Sequence, residues 1–151
     1  MGKINYKKQI IGFIFMVIIG ILFNPMNALA FEVEHLHFST TQFYGGLLMG
    51  SNMIWSHEIL HYLTMGHFNR TLFVIGVFLS CFCVFLLRQQ VFVSPKQWLK
   101  RMIPHHSTAL TTTTRLIKNN QTNKNPKLFR LAKDIIDTQK REIMFMENML
   151  K

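Results

Sequence analysis

The sequence predicts an all-α protein in which three membrane-crossing helices are followed by a two-helix hairpin, and three observations carry that reading. Of its 151 residues, 49% are apolar and 16% charged, with a positive mean hydropathy, which is too apolar for an ordinary soluble domain. Apolar stretches near residues 10–31, 43–65 and 71–87 are each long enough to cross a hydrocarbon layer of about 30 Å. Beyond residue 94 that character stops, and apolar residues recur at helical spacing instead. The chain therefore divides into a membrane region, residues 1–90, and a hairpin domain, residues 94–151.

Charge follows the same division. Net charge is +10, and residues 88–151 hold 13 of the 17 Lys and Arg against four of the seven acids. A basic segment beside a membrane most simply meets anionic lipid head groups. Nucleic acid is not expected as a partner, because the segment offers only Trp98, Phe129 and Phe145 as aromatics and carries no recognisable binding motif. Cys81 and Cys83 sit in an apolar run and read as small hydrophobes.

Taken in order, Lys3, Lys7 and Lys8 precede the apolar run 10–23, and Ala28, Leu29 and Ala30 follow Asn24 and Pro25. Two readings stand: a first span, or a signal peptide cleaved after Ala30. Both start the chain inside and bring it out. Residues 31–42 carry Glu32, Glu34, His35 and His37 but no Lys or Arg, which suits a solvated loop on the non-cytoplasmic side. Those histidines could feed a metal ion to the span that follows. The second span returns inward, residues 66–70 turn, and 71–87 crosses again. A multi-pass protein of the cell membrane results, with its hairpin on the non-cytoplasmic side. Arg88, Lys96, Lys100 and Arg101 oppose that placement, but upstream order overrides charges on a long terminal segment.

The second span carries side chains that a bilayer rejects. Met49, Met53, His57, His61 and Met65 stand four residues apart and would climb about 24 Å along one helix, drifting slowly around it. Thioether and imidazole are soft donors, so the stripe is a candidate copper site, with zinc as the alternative. The competing reading is a packed helix whose Met residues fill space and whose polar groups bond to one another. Residues 57–61 also spell HEILH, the pattern in which two His bind zinc and Glu58 acts as general base. An intramembrane zinc protease would need a third ligand and a substrate groove that the sequence does not offer. The expectation is therefore a metal-binding protein and no enzyme, with a purely structural role as the remaining alternative.

Ser94, Pro95 and Gln97 start the first hairpin helix: a capping serine, then proline at the position where its missing N–H costs nothing. Two apolar columns follow, one through Trp98, Met102, His105 and Ala109, the other through Leu99, Ile103, His106 and Leu110, so both histidines are expected on the inward side. Pro104 should kink this helix. Asn125 and Pro126 start the second helix the same way, and its inward stripe is read as Leu128, Leu131, Ile135, Gln139, Glu142, Met146 and Met149. Two short helices bury little, so the hairpin is expected to pair with a second copy, a homodimer, or to lie against the membrane helices.

Met102, Ile103, Pro104, His105, His106 and Ala109, with Ile135, Gln139, Glu142, Ile143 and Met146, give the tail its resemblance to domain of unknown function family 305. A membrane-bound subgroup is similar over nearly the whole chain, including QFYGGLLMGSNM, Glu58 and a third span ending in RQQ. The resemblance implies a ferritin-like hairpin on a three-span anchor and, since some members bind copper, a metal site drawn from Met102, His105, His106, Glu142 and Met146. Family members commonly place Met and Glu shortly after the His pair, where this chain has Thr112 and Thr114.

Overall fold

The computed structural model describes residues 6–122 and 125–151; Lys3 and two residues of the loop between the hairpin helices lie outside them. In chain order the elements are α1 (Tyr6–Leu22), α2 (Pro25–Ala28), a 3-10 turn (Val33–His35), α3 (Thr40–Met65), α4 (Arg70–Gln89), α5 (Pro95–Lys118) and α6 (Pro126–Leu150). No strand occurs among the described residues. They form two compact units, one of Met1–Phe23 and Thr40–Phe92, the other of Asn24–Ser39 and Val93–Lys151. The segment expected as a solvated loop thus belongs to the hairpin unit.

In the first unit, α1 and α4 both pack against α3. The apolar run that begins α1 stops at Leu22, earlier than the expected 10–31, because Pro25 forces Asn24 into an extended conformation. Asn24 then caps α2, its Oδ1 accepting the N–H groups of Met26 and Asn27 at 3.1 Å each. Gly66 ends α3 with φ +70°, a left-handed conformation that suits glycine. Asn69 starts α4 by accepting from the N–H groups of Thr71 and Leu72.

Close backbone approach holds these helices together. A Cβ on Gly46 would lie 2.7 Å from Ile21 Cγ1 and 2.8 Å from the Val17 carbonyl oxygen, and one on Gly76 would lie 2.8 Å from the Trp55 nitrogen. Polar groups are satisfied between helices. Gln42 Nε2 donates to the Ile21 carbonyl at 2.7 Å, Tyr44 Oη to the Val91 carbonyl at 2.9 Å, and Ser80 Oγ lies 2.9 Å from Asn52 Oδ1. The first two bonds set the C-terminal ends of α1 and α4 beside the N-terminal end of α3. Two stretches, Lys7–Ala28 and Arg70–Gln89, are long and apolar enough to cross a membrane, and only 6% and 11% of them are buried. Most of their apolar surface is therefore open, unlike that of a soluble core helix. α3 has the length, but its polar residues keep it out of that pair.

In the hairpin unit, α5 packs along α6 around Leu99, Ile103, Leu110, Ile143 and Met146. Ser94 Oγ accepts the Gln97 N–H and Asn125 Oδ1 the Leu128 N–H, so each helix starts at its capping residue with proline next. α5 continues through Pro104. Its buried column is Leu99, Ile103 and Leu110, while Trp98 and His105 are exposed. The expected inward stripe of α6 holds at Met146 and needs correction elsewhere: Leu131 and Met149 are 55% and 59% exposed, and Ala132 and Ile143 are buried instead. The helix presents its neighbouring apolar column to α5, a rotation that sequence periodicity alone does not fix.

Candidate functional site

The five-residue stripe of α3 does not form one wall. Four residues turn an α-helix 40° past a full revolution, so four such steps carry the stripe about 160° around it. Met49 and Met53 consequently lie toward α1: Cβ atoms on Gly20 and Gly12 would stand 2.9 Å from Met49 Sδ and 3.5 Å from Met53 Cε. His57 and Met65 are exposed, Met65 at 69%. The stripe therefore touches α1 at its upper end, where Met49 still has exposed surface, and faces outward at His57 and Met65.

At its lower end the imidazoles of His57 and His61 stack at 5.9 Å between centroids, and His67 meets His61 edge-on at 6.2 Å. His61 Nδ1 lies 3.2 Å from the His67 carbonyl oxygen, which holds the turn. Glu58 is 5% exposed, and its Oε2 accepts the Asn69 N–H at 3.1 Å. A carboxylate at the start of α4 also faces the positive end of that helix dipole. Glu58 is thereby a capping group for the α3–α4 turn. Its other oxygen is 3.9 Å from His57 Nδ1.

In the hairpin, Met102 and His106 lie one turn apart on α5, facing Glu142 and Met146, one turn apart on α6. His106 Nδ1 is 2.9 Å from Glu142 Oε2. Met146 belongs to the core, and Met102 packs against it. His105 departs from expectation. It is exposed, its ring 5.7 Å from that of His106, because it precedes His106 by one residue and so lies about 100° around α5 from it. Burial, then the neighbouring His106 and Arg101, pushes the His105 imidazole below its ordinary range. Among the described residues no three His, Cys, Asp or Glu side chains converge as metal ligands.

The residues that sequence reasoning missed stand on the other side of α5. Ser107 is fully buried; its Oγ accepts the Phe31 N–H at 2.6 Å and lies 2.8 Å from His35 Nδ1. His35, itself buried, has its Nε2 3.7 Å from Glu147 Oε1 and 3.8 Å from Glu32 Oε2. Thr108 Oγ1 donates to the Met26 carbonyl at 3.3 Å. Serine, histidine and carboxylate are the groups of a hydrolytic triad, but a serine without exposed surface meets no substrate. The set is a latch holding residues 24–39 on the hairpin. No local pattern announces it, since its members are more than 70 residues apart.

A glycine-packed helical unit with open apolar surface, continued by a helical hairpin with a Met/His/Glu face, defines a class of hairpin protein with membrane-type helices. The family model "Domain of unknown function (DUF305)" matches residues 88–150. Similarity extends further along the chain, to "Uncharacterized protein L153" of Acanthamoeba polyphaga mimivirus: 35% identity over 127 residues, covering 84% of this chain and 81% of that protein. The chain belongs to the DUF305 family. No solved structure matches it.

Proposed function

We propose that this is a membrane-anchored DUF305 protein that binds a soft metal ion, copper as Cu(I), on its hairpin. The anchor is α1, α3 and α4, with α3 tolerated in the bilayer because Asn52, Ser80, Gln42 and Glu58 have partners within the unit. The open apolar surface of the two spanning-length helices supports that reading. With Lys7 and Lys8 inside, three crossings put the hairpin on the non-cytoplasmic side. Reporter activity on the cytoplasmic side after Lys151 would overturn that orientation.

The observation that carries the metal reading is the His106–Glu142 pair at 2.9 Å, with a methionine one helical turn away on each helix. An imidazole and two thioethers suit Cu(I) in kind, whereas zinc would want more His, Cys or carboxylate donors than stand here. Glu142 Oε2 approaches Nδ1 to 2.9 Å without hydrogen-bond geometry, and in this reading Nε2 is the coordinating atom. Bound Cu(I) would be carried, and no reaction follows from this site. The test is Cu(I) affinity of the full-length protein in detergent, measured against a chromophoric competitor. His106→Gln and Met102→Leu should each weaken binding by on the order of tenfold or more. Equal affinity in both variants would sink the hairpin site, and a loss confined to His57→Leu/His61→Leu would move the site to α3. The protease alternative finds no support, because Glu58 is buried and its carboxylate caps α4.

A further inference from the structure

The latch segment, residues 24–39, is inside out for a loop in water. Polar groups along it bond to the hairpin: the Phe31 N–H and His35 Nδ1 meet Ser107 Oγ at 2.6 and 2.8 Å, and the Met26 carbonyl accepts from Thr108 Oγ1 at 3.3 Å. Its apolar side chains are left outside. Leu29, Phe31, Val33, Leu36 and Phe38 are all exposed, Val33 at 82% and Phe38 at 57%. A solvated loop would show the reverse, polar side chains outward and large apolar ones against the protein, and a run of exposed apolar side chains marks a surface that something covers. The charges in the segment are few and of one sign. Glu32 and Glu34 stand among the apolar residues, the Glu32 carboxylate 3.8 Å from His35 Nε2. No Lys or Arg occurs from residue 9 to residue 69, and the cation that acts on the segment from α5 is Lys100, near His37.

Both ends of the segment run directly into helices of the anchor. Asn24 follows Leu22, the last residue of α1, by two positions, and Phe38 precedes Thr40, the first residue of α3, by two. At about 3.5 Å per residue, Phe38 stays within about 7 Å of the start of α3. We infer that residues 29–38 are seated on the bilayer surface, with Leu29, Phe31, Val33, Leu36 and Phe38 at the boundary between head groups and acyl chains and Glu32 and Glu34 at head-group level. That seat rests on the membrane-anchor reading of α1 and α3, which brings both ends of the segment to the lipid surface. Lipid is then the partner already in place, and a protein would have to displace it. Interfacial segments bury their apolar side about 5–10 Å into this boundary. Having no Lys or Arg of its own, this one draws on apolar contact and not on anionic head groups, so zwitterionic lipid suffices. The latch thus acts as a two-sided strap, bonded to the hairpin through its polar groups and to the bilayer through its apolar side chains, and it holds the hairpin unit at the surface.

The experiment uses full-length protein in phosphatidylcholine nanodiscs, in a Cys81→Ala/Cys83→Ala background, with a bimane fluorophore on one introduced cysteine. Val33→Cys and Phe38→Cys report the segment, Phe78→Cys on α4 reports the anchor, and Lys133→Cys on α6 reports water; all four positions are exposed, so labelling leaves the packing in place. Phosphatidylcholine brominated on its acyl chains should quench positions 33, 38 and 78 about twofold or more above position 133, and aqueous iodide should show the opposite order. Iodide quenching at 33 and 38 equal to that at 133 would put the segment in water and overturn the inference. Protection from both quenchers would give the apolar side chains a protein partner, such as a second copy, and overturn it equally. Bromolipid quenching at 78 without quenching at 33 and 38 would leave the anchor standing and remove only the seat. Absence of bromolipid quenching at 78 as well would remove the anchor reading and the seat together.

Discussion

Ser107→Ala tests the latch directly. The substitution deletes one oxygen from a site without exposed surface and leaves two groups stranded: the Phe31 N–H, 2.6 Å from that oxygen, and His35 Nδ1, 2.8 Å from it. A buried polar group without its partner costs about 1–3 kcal/mol. The Phe31 bond is only partly buried, so the two losses together come to about 2–4 kcal/mol. At 1.4 kcal/mol per tenfold, the latch segment should open about 30 to 700 times more often. Hydrogen exchange of the full-length protein reads this as faster exchange in peptides covering residues 24–39, with α5 and α6 still helical. Thr112→Ala is the matched control, because its hydroxyl bonds only within α5, to the Thr108 carbonyl at 3.0 Å and the Ala109 carbonyl at 3.2 Å. Unchanged exchange at Phe31 in Ser107→Ala would show that the latch is held by something other than this hydroxyl.

Ile103 has no exposed surface at the centre of the hairpin core, so Ile103→Ala should cost about 2–5 kcal/mol, read as a lower denaturant midpoint for hairpin fluorescence from Trp98. Gly46→Val pushes a side chain into Ile21 and the Val17 carbonyl; it should destabilise the α1–α3 crossing by about 1–3 kcal/mol and raise protease access to α1, and wild-type resistance would refute the close-packing account. The pH dependence has a definite sign. Burial first and then positive neighbours lower both His105 (His106, Arg101) and His37 (Lys100, His35, against Glu147), so the unfolded chain takes up protons first. Their contribution is complete above about pH 6.5 and falls away below it, toward the lowered folded values. Thermal midpoints of a His37→Gln/His105→Gln variant should be flatter between pH 7 and 5 than those of the parent, and an equal slope would refute the assignment.

The parts of this structure legible in the sequence are those decided within a few residues. Ser94 with Pro95 and Asn125 with Pro126 set helix starts through bonds to their own next turn, and those starts stand where local chemistry puts them. What spans the chain was not legible. Helix α6 carries two adjacent apolar columns, and only the position of α5 selects Ala132 and Ile143 over Leu131 and Met149. The latch joins a serine in mid-helix to a loop histidine, two residue types that have no periodicity to betray them. The soft-ligand stripe has its own geometry: spacing of four is regular in sequence yet winds around the helix, so its ends face different surroundings.

The same contrast decides what Glu58 is for. A short motif assigns it to proton transfer between two zinc-bound histidines, a role that requires a carboxylate open to substrate and His57 and His61 converging on one ion. The chain instead buries the carboxylate against the N–H of Asn69, the residue that caps α4, where the helix dipole favours negative charge. Glu58→Ala would orphan that N–H, and the α3–α4 turn should loosen, whereas Glu58→Gln keeps an acceptor oxygen and should largely preserve it. A hydrolase would respond the other way, losing its chemistry in both variants. If exchange at residues 66–72 rises in Glu58→Ala and recovers in Glu58→Gln, the carboxylate acts as a structural cap; equal exchange in all three forms would remove that role.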